Sequence, residues 1–509
     1  MSEREYIVSL KKGVDYQKFY IDMITIYGDD CIPNRPVTVA NLRPGSSRNT
    51  HYFLSDQEVE TLKNDPRVLD IELRPDLRDD IQIGSFTTQA GNFTKTTLDS
   101  GDFVNWGLKR VNETTNPYGV LTEVVGGYDY TLDGTGIDIV IQDSGIQADH
   151  PEFQNANGEN RVQQIDWYSA SGLSGTMPAE HYTDYDGHGT HCAGIAAGKT
   201  YGWAKNSRIY AVKVAGLEGD TDPNTGIPVS DIFDVIKEWH NNKSVDPSTG
   251  VKRPTIVNMS WGYGTYFVNI TGGSYRGTPW LGNTRDTAKG MVGRFDGVGF
   301  RYGTRVTSVD VDVEELIDAG VHVCIAAGNT SQKIDSEDGV DYNNYWTSSV
   351  FGNRYYHRGG SPFSDRAFIV GNIDSAIDGV STLEQKASSS ETGLGVNIYA
   401  PGTDIMSCTS TSNKFSDGDY PANSNFKICN ISGTSMAAPQ VAGVLALYLQ
   451  INPETTIAEA LTYIQSISKN IIYNPGDAAT YTNSRSLLGG NNRFLFNEFN
   501  SAVQIKFGN

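Results

Sequence analysis

The sequence predicts an α/β fold, a parallel sheet flanked by helices, preceded by a small α+β unit. Three observations lead to this prediction. From residue 105 onward, short apolar segments alternate with segments of helical periodicity, which is typical of a parallel sheet covered on both faces. Residues 1–80 form a separate series with the order βαββαβ. The chain has 509 residues, enough for one large domain and one small one.

The N-terminal unit, residues 1–80, is predicted to be ferredoxin-like. One helix is expected from Tyr16 to Ile26, where apolar residues recur on one face. A second helix is expected from the capping residue Ser55 to the breaker sequence that ends at Pro66. Strands are expected at four segments rich in β-branched and aromatic residues, namely Tyr6–Leu10, Pro36–Val39, His51–Leu54 and Val68–Leu73.

Residues 81–104 are polar and are predicted to be a linker with little regular structure. Residues 105–509 are predicted to form the large domain. Residues 263–305, rich in Gly, Tyr, Thr and Arg, are expected to be a long surface insertion in it. The strands and helices expected in the large domain are Ile137–Ile141, Arg208–Val214, Thr255–Ser260, Val321–Ala326 and Ala367–Gly371, and Asp231–His240 and Val311–Ala319.

Ser435 stands in a turn of small residues directly before an apolar, buried helix. Pro439 falls early enough in that helix to be tolerated, because N–H groups of the first turn have no helical partner. The same unpaired N–H groups give the helix start a partial positive charge, which suits a serine that meets a developing oxyanion. An ordinary helix-capping serine is the alternative interpretation.

A serine hydroxyl becomes a nucleophile when a histidine takes its proton and a carboxylate holds that histidine. Asp143 follows an apolar strand, and open α/β sheets place their sites at such strand ends. His188 has glycine on both sides, which leaves its imidazole uncovered. The pair of His188 and His191 also raises a metal site as an alternative, but its spacing is weak evidence and no third ligand is near in sequence.

Two further segments suit the binding of a peptide. Asn329 follows a strand in the sequence Ala-Ala-Gly-Asn, and an amide in that position can donate to an oxyanion. Ser260, Trp261 and Gly262 end another strand and offer a backbone edge with which an extended peptide can pair.

With these motifs the chain resembles the subtilisin-like serine proteases, or subtilases, in their proteinase K-like branch. The resemblance rests on Asp143-Ser-Gly-Ile, His188-Gly-Thr-His-Cys-Ala-Gly and Gly433-Thr-Ser-Met-Ala-Ala-Pro, and covers about residues 105–500. The order Asp, His, Ser excludes the chymotrypsin and α/β-hydrolase arrangements. Residues 1–80 resemble the inhibitor-type propeptide of the same family.

The resemblance implies a serine endopeptidase that works through an acyl-enzyme and is made as a self-processing zymogen. Ser435 is then the nucleophile, His188 the general base and acid, Asp143 its orienting carboxylate and Asn329 an oxyanion donor. Cleavage is expected between about residues 75 and 105, after which the propeptide blocks the cleft. The residues implied to bind substrate are Ser260, Trp261, Gly262, Ala327 and Gly328.

Three positions depart from the family pattern. Gln142 stands where an apolar residue is usual, and Trp261 replaces the common leucine beside the specificity pocket. Asn397 replaces an aspartate that helps bind calcium in proteinase K-like enzymes. We therefore expect that no cofactor is required and that no residue is a metal ligand. A structural calcium ion is conceivable in this family, but the Asn397 replacement gives no support for one here.

Charge and composition bear on partners and location. The formal net charge of −20 argues against nucleic acid, and no apolar run approaches the ~20 residues that span a bilayer. The partners expected are polypeptide substrates and the protein's own propeptide. Residues 1–5 lack a secretory signal pattern, so we expect a cytoplasmic location or one within an assembled particle such as a phage, with non-classical export left open. Pairing of Cys408 with Cys429 is also left open.

Two other functions remain as alternatives. The first is a non-catalytic binding protein on the same scaffold, which labelling with a serine-reactive fluorophosphonate distinguishes from an enzyme. The second is an enzyme that stays uncut and acts during assembly, for example in a large bacteriophage particle.

Overall fold

The fold is taken from a computed structural model. The residues that it describes are 3–26, 32, 34–85, 88–89, 105–116, 130–217, 225–247, 249–295, 297, 299–375, 384–415, 417–476 and 484–499.

In chain order the described strands are β1 Arg4–Leu10, β2 Val39–Asn41, β3 Asn49–Leu54, β4 Val68–Leu73, β5 Gln82–Ser85, β6 Thr88–Gln89, β7 Asp138–Asp143, β8 Val162–Gln163, β9 Arg208–Lys213, β10 Thr255–Met259, β11 Trp261–Tyr266, β12 Ile270–Tyr275, β13 Thr278–Leu281, β14 Arg294–Phe295, β15 Phe300–Gly303, β16 His322–Ala326, β17 Tyr345–Ser348, β18 Gly352–Tyr355, β19 Phe368–Ile373, β20 Glu384–Gln385, β21 Ile398–Pro401, β22 Ile405–Thr409, β23 Asp417–Asp419, β24 Lys427–Ser432 and β25 Ile472–Tyr473. The described α-helices are α1 Tyr16–Ile24, α2 Asp56–Leu62, α3 Trp106–Arg110, α4 Trp167–Ser171, α5 His188–Ala197, α6 Val229–Asn242, α7 Thr307–Asp318, α8 Thr434–Ile451 and α9 Ile457–Ile467.

The N-terminal unit has its elements in the predicted order. Its four strands form an antiparallel sheet in the order β2-β3-β1-β4, around a small apolar core of its own that includes Phe19, Met23 and Leu54. Helix α2 begins with the expected cap, because the Ser55 and Glu58 side chains each bind the other residue's backbone N–H. The unit therefore folds around side chains that the sequence pattern already places on one face.

A seven-stranded parallel sheet forms the centre of the large domain, with the strand order β21-β19-β16-β10-β7-β9-β8. All five strands expected from the apolar segments belong to it. Residues of the middle strands are buried throughout, as expected when helices cover both faces. The predicted α/β class is therefore observed.

Helix α8 runs through the core behind Ser435. By length and composition alone this helix could cross a membrane, although no apolar run of that length was expected from the sequence. However, 89% of it is buried inside the fold. Its apolar side chains pack against the parallel sheet, so it is the core helix of a globular domain.

The linker differs from its prediction, because it contains two short strands. Strand β5 pairs with β11 and strand β6 pairs with β24, both antiparallel. The rest of the predicted linker, at 86–87 and 90–104, lies outside the described residues.

The insertion is more ordered and more extensive than the sequence predicts. Strand β11 leads into it, and two four-stranded sheets follow the orders β14-β15-β11-β5 and β13-β12-β17-β18. Strands β17 and β18 come from beyond the predicted limit of 263–305. An aromatic cluster joins the two sheets, and its buried members include Phe267, Tyr302, Trp346 and Tyr356. The insertion is thus a small β module with a core of its own.

The four described cysteines are free thiols, so Cys408 and Cys429 are not paired. Cys429 lies opposite Ser407 and Cys408 opposite Ile428 in the ladder of β22 and β24. Because successive side chains of a strand point to opposite faces, this register sends the two thiols to different sides of the sheet.

Candidate active site

The predicted catalytic residues lie at one edge of the parallel sheet. Asp143 is the last residue of β7, Ser260 directly follows β10, and Asn329 follows β16. These three strands are neighbours and run in the same direction, so their carboxyl ends lie side by side. His188 and Ser435 come to this edge from the first turns of α5 and α8.

Asp143 and His188 form a buried pair. His188 Nδ1 lies 2.8 Å from Asp143 Oδ1, and both side chains are fully buried. Burial lowers the pKa of the imidazole, but the Asp143 charge outweighs it and raises the pKa well above the ordinary value. The contact leaves Nε2 of His188 as the nitrogen that can exchange a proton with a serine hydroxyl.

Ser435 is fixed beside this pair. Its Oγ donates to the Ser260 carbonyl at 3.1 Å, and its own carbonyl accepts from Ser260 Oγ at 3.0 Å. Cys192 connects the two helix starts, since its Sγ lies 3.4 Å from the Ser435 carbonyl and 3.9 Å from His188 Nδ1. Ser435 and His188 therefore share Cys192 as a neighbour, and Ser435 is also held by Ser260.

The amide of Asn329 is oriented by the residue before the serine. The backbone N–H of Thr434 and its hydroxyl both donate to Asn329 Oδ1, at 2.9 and 3.0 Å. Gly328 N–H donates to the same hydroxyl at 3.1 Å. Because Oδ1 is held on the Thr434 side, Nδ2 is the end of the amide that can donate to an oxyanion.

A small pocket lies beside β11, and four of the predicted substrate-binding residues line it: Trp261, Gly262, Ala327 and Gly328. The fifth, Ser260, is buried behind them and bonded to Ser435. The pocket also contains Glu391, which the sequence reading missed because nothing in its local sequence marks it. Thr330 Oγ1 and the Gln332 N–H donate to its carboxylate, and burial raises its pKa to about 8.

Two of the three departures from the family pattern, Gln142 and Trp261, meet inside the domain. Trp261 Nε1 donates to Gln142 Oε1 at 3.1 Å, and the indole is fully buried next to Phe233 and Tyr263. Gln142 precedes Asp143 in the sequence, so this hydrogen bond connects β11 with β7, the strand that ends in Asp143.

The linker strands lie on either side of Ser435. In β5, Gly84 is opposite Gly262 and Ser85 is opposite Trp261. In β6, Thr88 is opposite Ser432, three residues before the serine. Strand β5 therefore pairs with the strand that follows Ser260, and β6 pairs with the strand that precedes Ser435.

Candidate metal ligands have other roles in the described residues. His191 is fully buried, and its Nε2 faces the carbonyls of Ile405 and Cys429 at 3.1 Å; burial lowers its pKa to about 3. The Asn397 amide is used by the backbone, since it accepts from Ile369 N–H and donates to the Ala367 carbonyl. A buried group of three carboxylates is paired with cations, as described below for Asp234, Asp312 and Glu315.

The sequence profile of the subtilase family matches residues 134–487, which is more than half of the chain. The chain belongs to the subtilase family. A relative, the "Extracellular serine proteinase" of Thermus sp. (strain Rt41A), is 27% identical over 432 residues, 84% of this chain and 73% of the relative. Proteinase R of Parengyodontium album is 27% identical over 386 residues, 74% of this chain and 70% of the relative.

Among solved structures, fervidolysin from Fervidobacterium pennivorans matches 99% of this chain and 62% of its own, at 15% identity and a TM-score of 0.51. This likeness shows the fold. The predicted subtilisin-like fold and the predicted class of serine-type endopeptidase are thus confirmed at the level of the family. Other relatives are longer, and the chain spans 58% of the Penicillium citrinum protease Pen c 2.

The expectation of a cytoplasmic or particle-bound location is wrong. It was drawn from the lack of a signal pattern, and the Thermus relative is named an extracellular enzyme. Where the sequence begins carries no conclusion about the compartment.

Proposed function

We propose that this subtilase hydrolyses peptide bonds through Asp143, His188 and Ser435. Ser435 Oγ attacks the scissile carbonyl carbon while His188 Nε2 takes the hydroxyl proton. Collapse of the tetrahedral intermediate breaks the C–N bond, and His188 returns the proton to the leaving amine. Water then attacks the acyl-enzyme by the same steps and releases the carboxylic acid and Ser435. The Asp143–His188 hydrogen bond at 2.8 Å is the observation that carries this proposal.

The oxyanion is stabilised from two sides. Asn329 Nδ2 and the backbone N–H of Ser435 are the donors that we assign, the second at the positive end of the eighteen-residue helix α8. No cofactor enters any of these steps. The residues that bind the peptide backbone and the side chain before the cut are Ser260, Trp261, Gly262, Ala327 and Gly328.

Residues 1–80 act as the propeptide of the precursor, and the linker is its first substrate. The described neighbours of one short stretch support a cut there: Ser85 lies opposite Trp261, which follows Ser260, and the Ser260 carbonyl accepts from Ser435 Oγ. Thr88, opposite Ser432, then belongs to the leaving side. Phe86 and Thr87 lie outside the described residues, and their neighbours carry the assignment of the Phe86–Thr87 bond. Cleavage of an attached segment is unimolecular and therefore favoured.

Intact-mass measurement on the wild type and on Ser435→Ala tests this function. We expect the wild type to lose residues 1–86 and the variant to stay full-length, because the variant has no nucleophile. Ser412→Ala, a change in an exposed loop serine, is the matched control and should be processed normally. A fluorophosphonate should label the wild type but not Ser435→Ala. Equal masses in the wild type and Ser435→Ala, together with absent labelling, would favour the non-catalytic alternative.

A further inference from the structure

The pairing of the linker with β11 extends beyond the residues of β11 that line the pocket beside Ser435. The backbone pairing extends back to Gln82 opposite Gly264. The insertion adds contacts there: the Tyr266 hydroxyl donates to Gln82 Oε1 at 3.2 Å, and Thr265 Oγ1 donates to the Asp80 carbonyl at 2.6 Å. The linker thus lies on the insertion as an extended peptide does on a binding strand.

An arginine of the insertion meets the start of this peptide. Arg354, in β18, places Nη2 2.5 Å from Asp80 Oδ2, and the two side chains are 22% and 10% exposed. Burial raises the pKa of Asp80, but Arg78 and then Arg354 outweigh it, so that the pKa lies below its usual range. Asp80 is therefore ionised at neutral pH, and the contact is a charge-assisted hydrogen bond.

The carboxylate that pairs with Arg354 belongs to the segment that leads into the linker. Within the described part of the chain, Asp80 is the only carboxylate with which Arg354 forms an ion pair; its other close contact is the ring of Phe351. Asp80, in contrast, has a second partner in Arg78 of its own segment. Once the N-terminal unit has left, Arg354 remains in the cleft without this carboxylate.

A cavity next to the linker strand is lined by more basic side chains than carboxylates, the latter being Asp76 and Asp312, although the whole protein is strongly acidic. This cavity of about 1040 Å³ lies between the N-terminal unit, the linker and the insertion, and Arg294 and Arg301 of β14 and β15 line it together with Tyr266. The net charge of the chain is −20. An anionic side chain that enters the emptied cleft is therefore attracted to this side.

We propose that Arg354 determines specificity in the mature enzyme, by binding an acidic side chain six residues before the residue whose carbonyl is attacked. The preferred substrate is an extended segment that pairs with β11 over four residues and carries Asp or Glu two residues further upstream. This proposal rests on the proposed function and on cleavage after residue 86, and the linker itself is the first such substrate.

Fluorogenic peptides test the subsite on the processed enzyme freed of its N-terminal unit. The parent peptide has the sequence of residues 80–89, and two other peptides carry Asn or Lys at its first position in place of Asp80. For the wild type we expect kcat/KM to be about five- to tenfold higher with Asp than with Asn, because the Asn amide still accepts a hydrogen bond from Arg354 and only the charge assistance is lost. The difference should lie in KM, because the contact is the same in the ground state and the transition state.

Variants of Arg354 decide whether this arginine causes the preference. In Arg354→Gln the ratio of kcat/KM between the Asp and Asn peptides should fall to about one. Arg354→Glu should favour the Lys peptide over the Asp peptide, a reversal that misfolding does not imitate. Arg358→Gln is the matched control, because Arg358 lies in the same module but bonds to Tyr342 and Asn343, and it should keep the wild-type ratio.

Two results overturn different conclusions. An equal ratio in the wild type and Arg354→Gln shows that the Asp80 contact only holds the precursor together, and it overturns the subsite. A shorter peptide that begins at Ile83 lacks the acidic residue and reports the triad alone. If the wild type does not hydrolyse that peptide either, the proposed function itself is overturned.

Discussion

At the scale of single residues, Glu391 is the least expected part of the site. A carboxylate buried beside Gly328 loses its hydration, and this raises its pKa to about 8 even though Thr330 and Gln332 donate to it. Lys386, the nearest opposite charge, is buried as well, and burial lowers its pKa to about 7. Near neutral pH, Glu391 is therefore largely a carboxylic acid inside the protein.

This pKa makes stability depend on pH. Between the ordinary glutamate pKa near 4.3 and the folded value of about 8, the folded state keeps a proton that the unfolded state has lost. The contribution of Glu391 to stability should therefore fall as pH rises, by at most about 1.4 kcal/mol per pH unit. Above about pH 7 the lowered pKa of Lys386 acts in the opposite direction, so the fall should be seen below that pH. Glu391→Gln should remove this part of the pH dependence.

Urea unfolding of the Ser435→Ala precursor at about pH 5, 6 and 7 measures the effect without autolysis and below the pH at which Lys386 opposes it. Glu454→Gln, a change in an exposed loop carboxylate, is the control and should leave the slope unchanged. If Glu391→Gln has the same slope as its parent, the buried carboxyl is not protonated in the folded protein.

At the scale of elements, the pair of Gln142 and Trp261 joins strand β7 to strand β11. Each residue departs from the family pattern at its position, and the two side chains form one buried hydrogen bond with each other. The indole packs on Phe233 of α6, so Trp261 is a part of the core as well as a wall of the pocket. The pair therefore couples the strand that carries Asp143 to β11, the strand to which we assign peptide binding.

A double-mutant cycle on the Ser435→Ala precursor checks this coupling. Trp261→Leu leaves the Gln142 carbonyl oxygen buried without its donor and should cost roughly 2–4 kcal/mol. In a Gln142→Leu background the same change should cost about 1 kcal/mol less, because no polar group is then left unpaired. Trp346→Leu, in the core of the insertion, should be additive with Gln142→Leu. If the costs of Trp261→Leu and Gln142→Leu are additive too, the hydrogen bond between these side chains does not contribute to the free energy of unfolding.

At the scale of the whole molecule, buried charges hold the N-terminal unit on helices α6 and α7. Arg43 donates to Asp234 and to Asp312, and all three side chains are less than a tenth exposed. Nearby, Lys237 of α6 pairs with Glu315, which also accepts from Ser47. Loss of one partner from such a pair leaves a charge buried without compensation.

Arg43→Leu should therefore weaken the hold on the N-terminal unit. Removing one partner of a buried ion pair costs about 3–5 kcal/mol, so the affinity of the cleaved unit should fall by roughly 10²–10³-fold. Size-exclusion chromatography after self-cleavage should show residues 1–86 bound in the wild type and separated in the variant. Lys12→Ala is the control, because Lys12 and Asp318 form an exposed pair across the same interface and should matter little. Co-elution of both fragments in Arg43→Leu would contradict the assignment.

Much of the fold and of the site follows from local sequence. The middle strands β7, β10 and β16 are apolar because both faces of a parallel sheet are covered, and this pattern is visible in the sequence without any partner strand. Asp143, His188, Asn329 and Ser435 could be selected as candidates because each stands at a strand end or helix start within a short motif, and their catalytic roles stay a prediction. Where a role depends on local neighbours, the sequence carries the signal.

The tertiary structure alone decided the contacts between distant segments. Strands β5 and β6 form only because β11 and β24 offer their edges, so the polar linker gave no strand pattern of its own. Burial gives Glu391 its raised pKa, Gln142 and Trp261 gain their role from the hydrogen bond between them, and Arg354 gains its role from the ion pair with Asp80. Burial, register and ion pairing are properties of two segments at once, and a one-dimensional pattern records only one segment at a time.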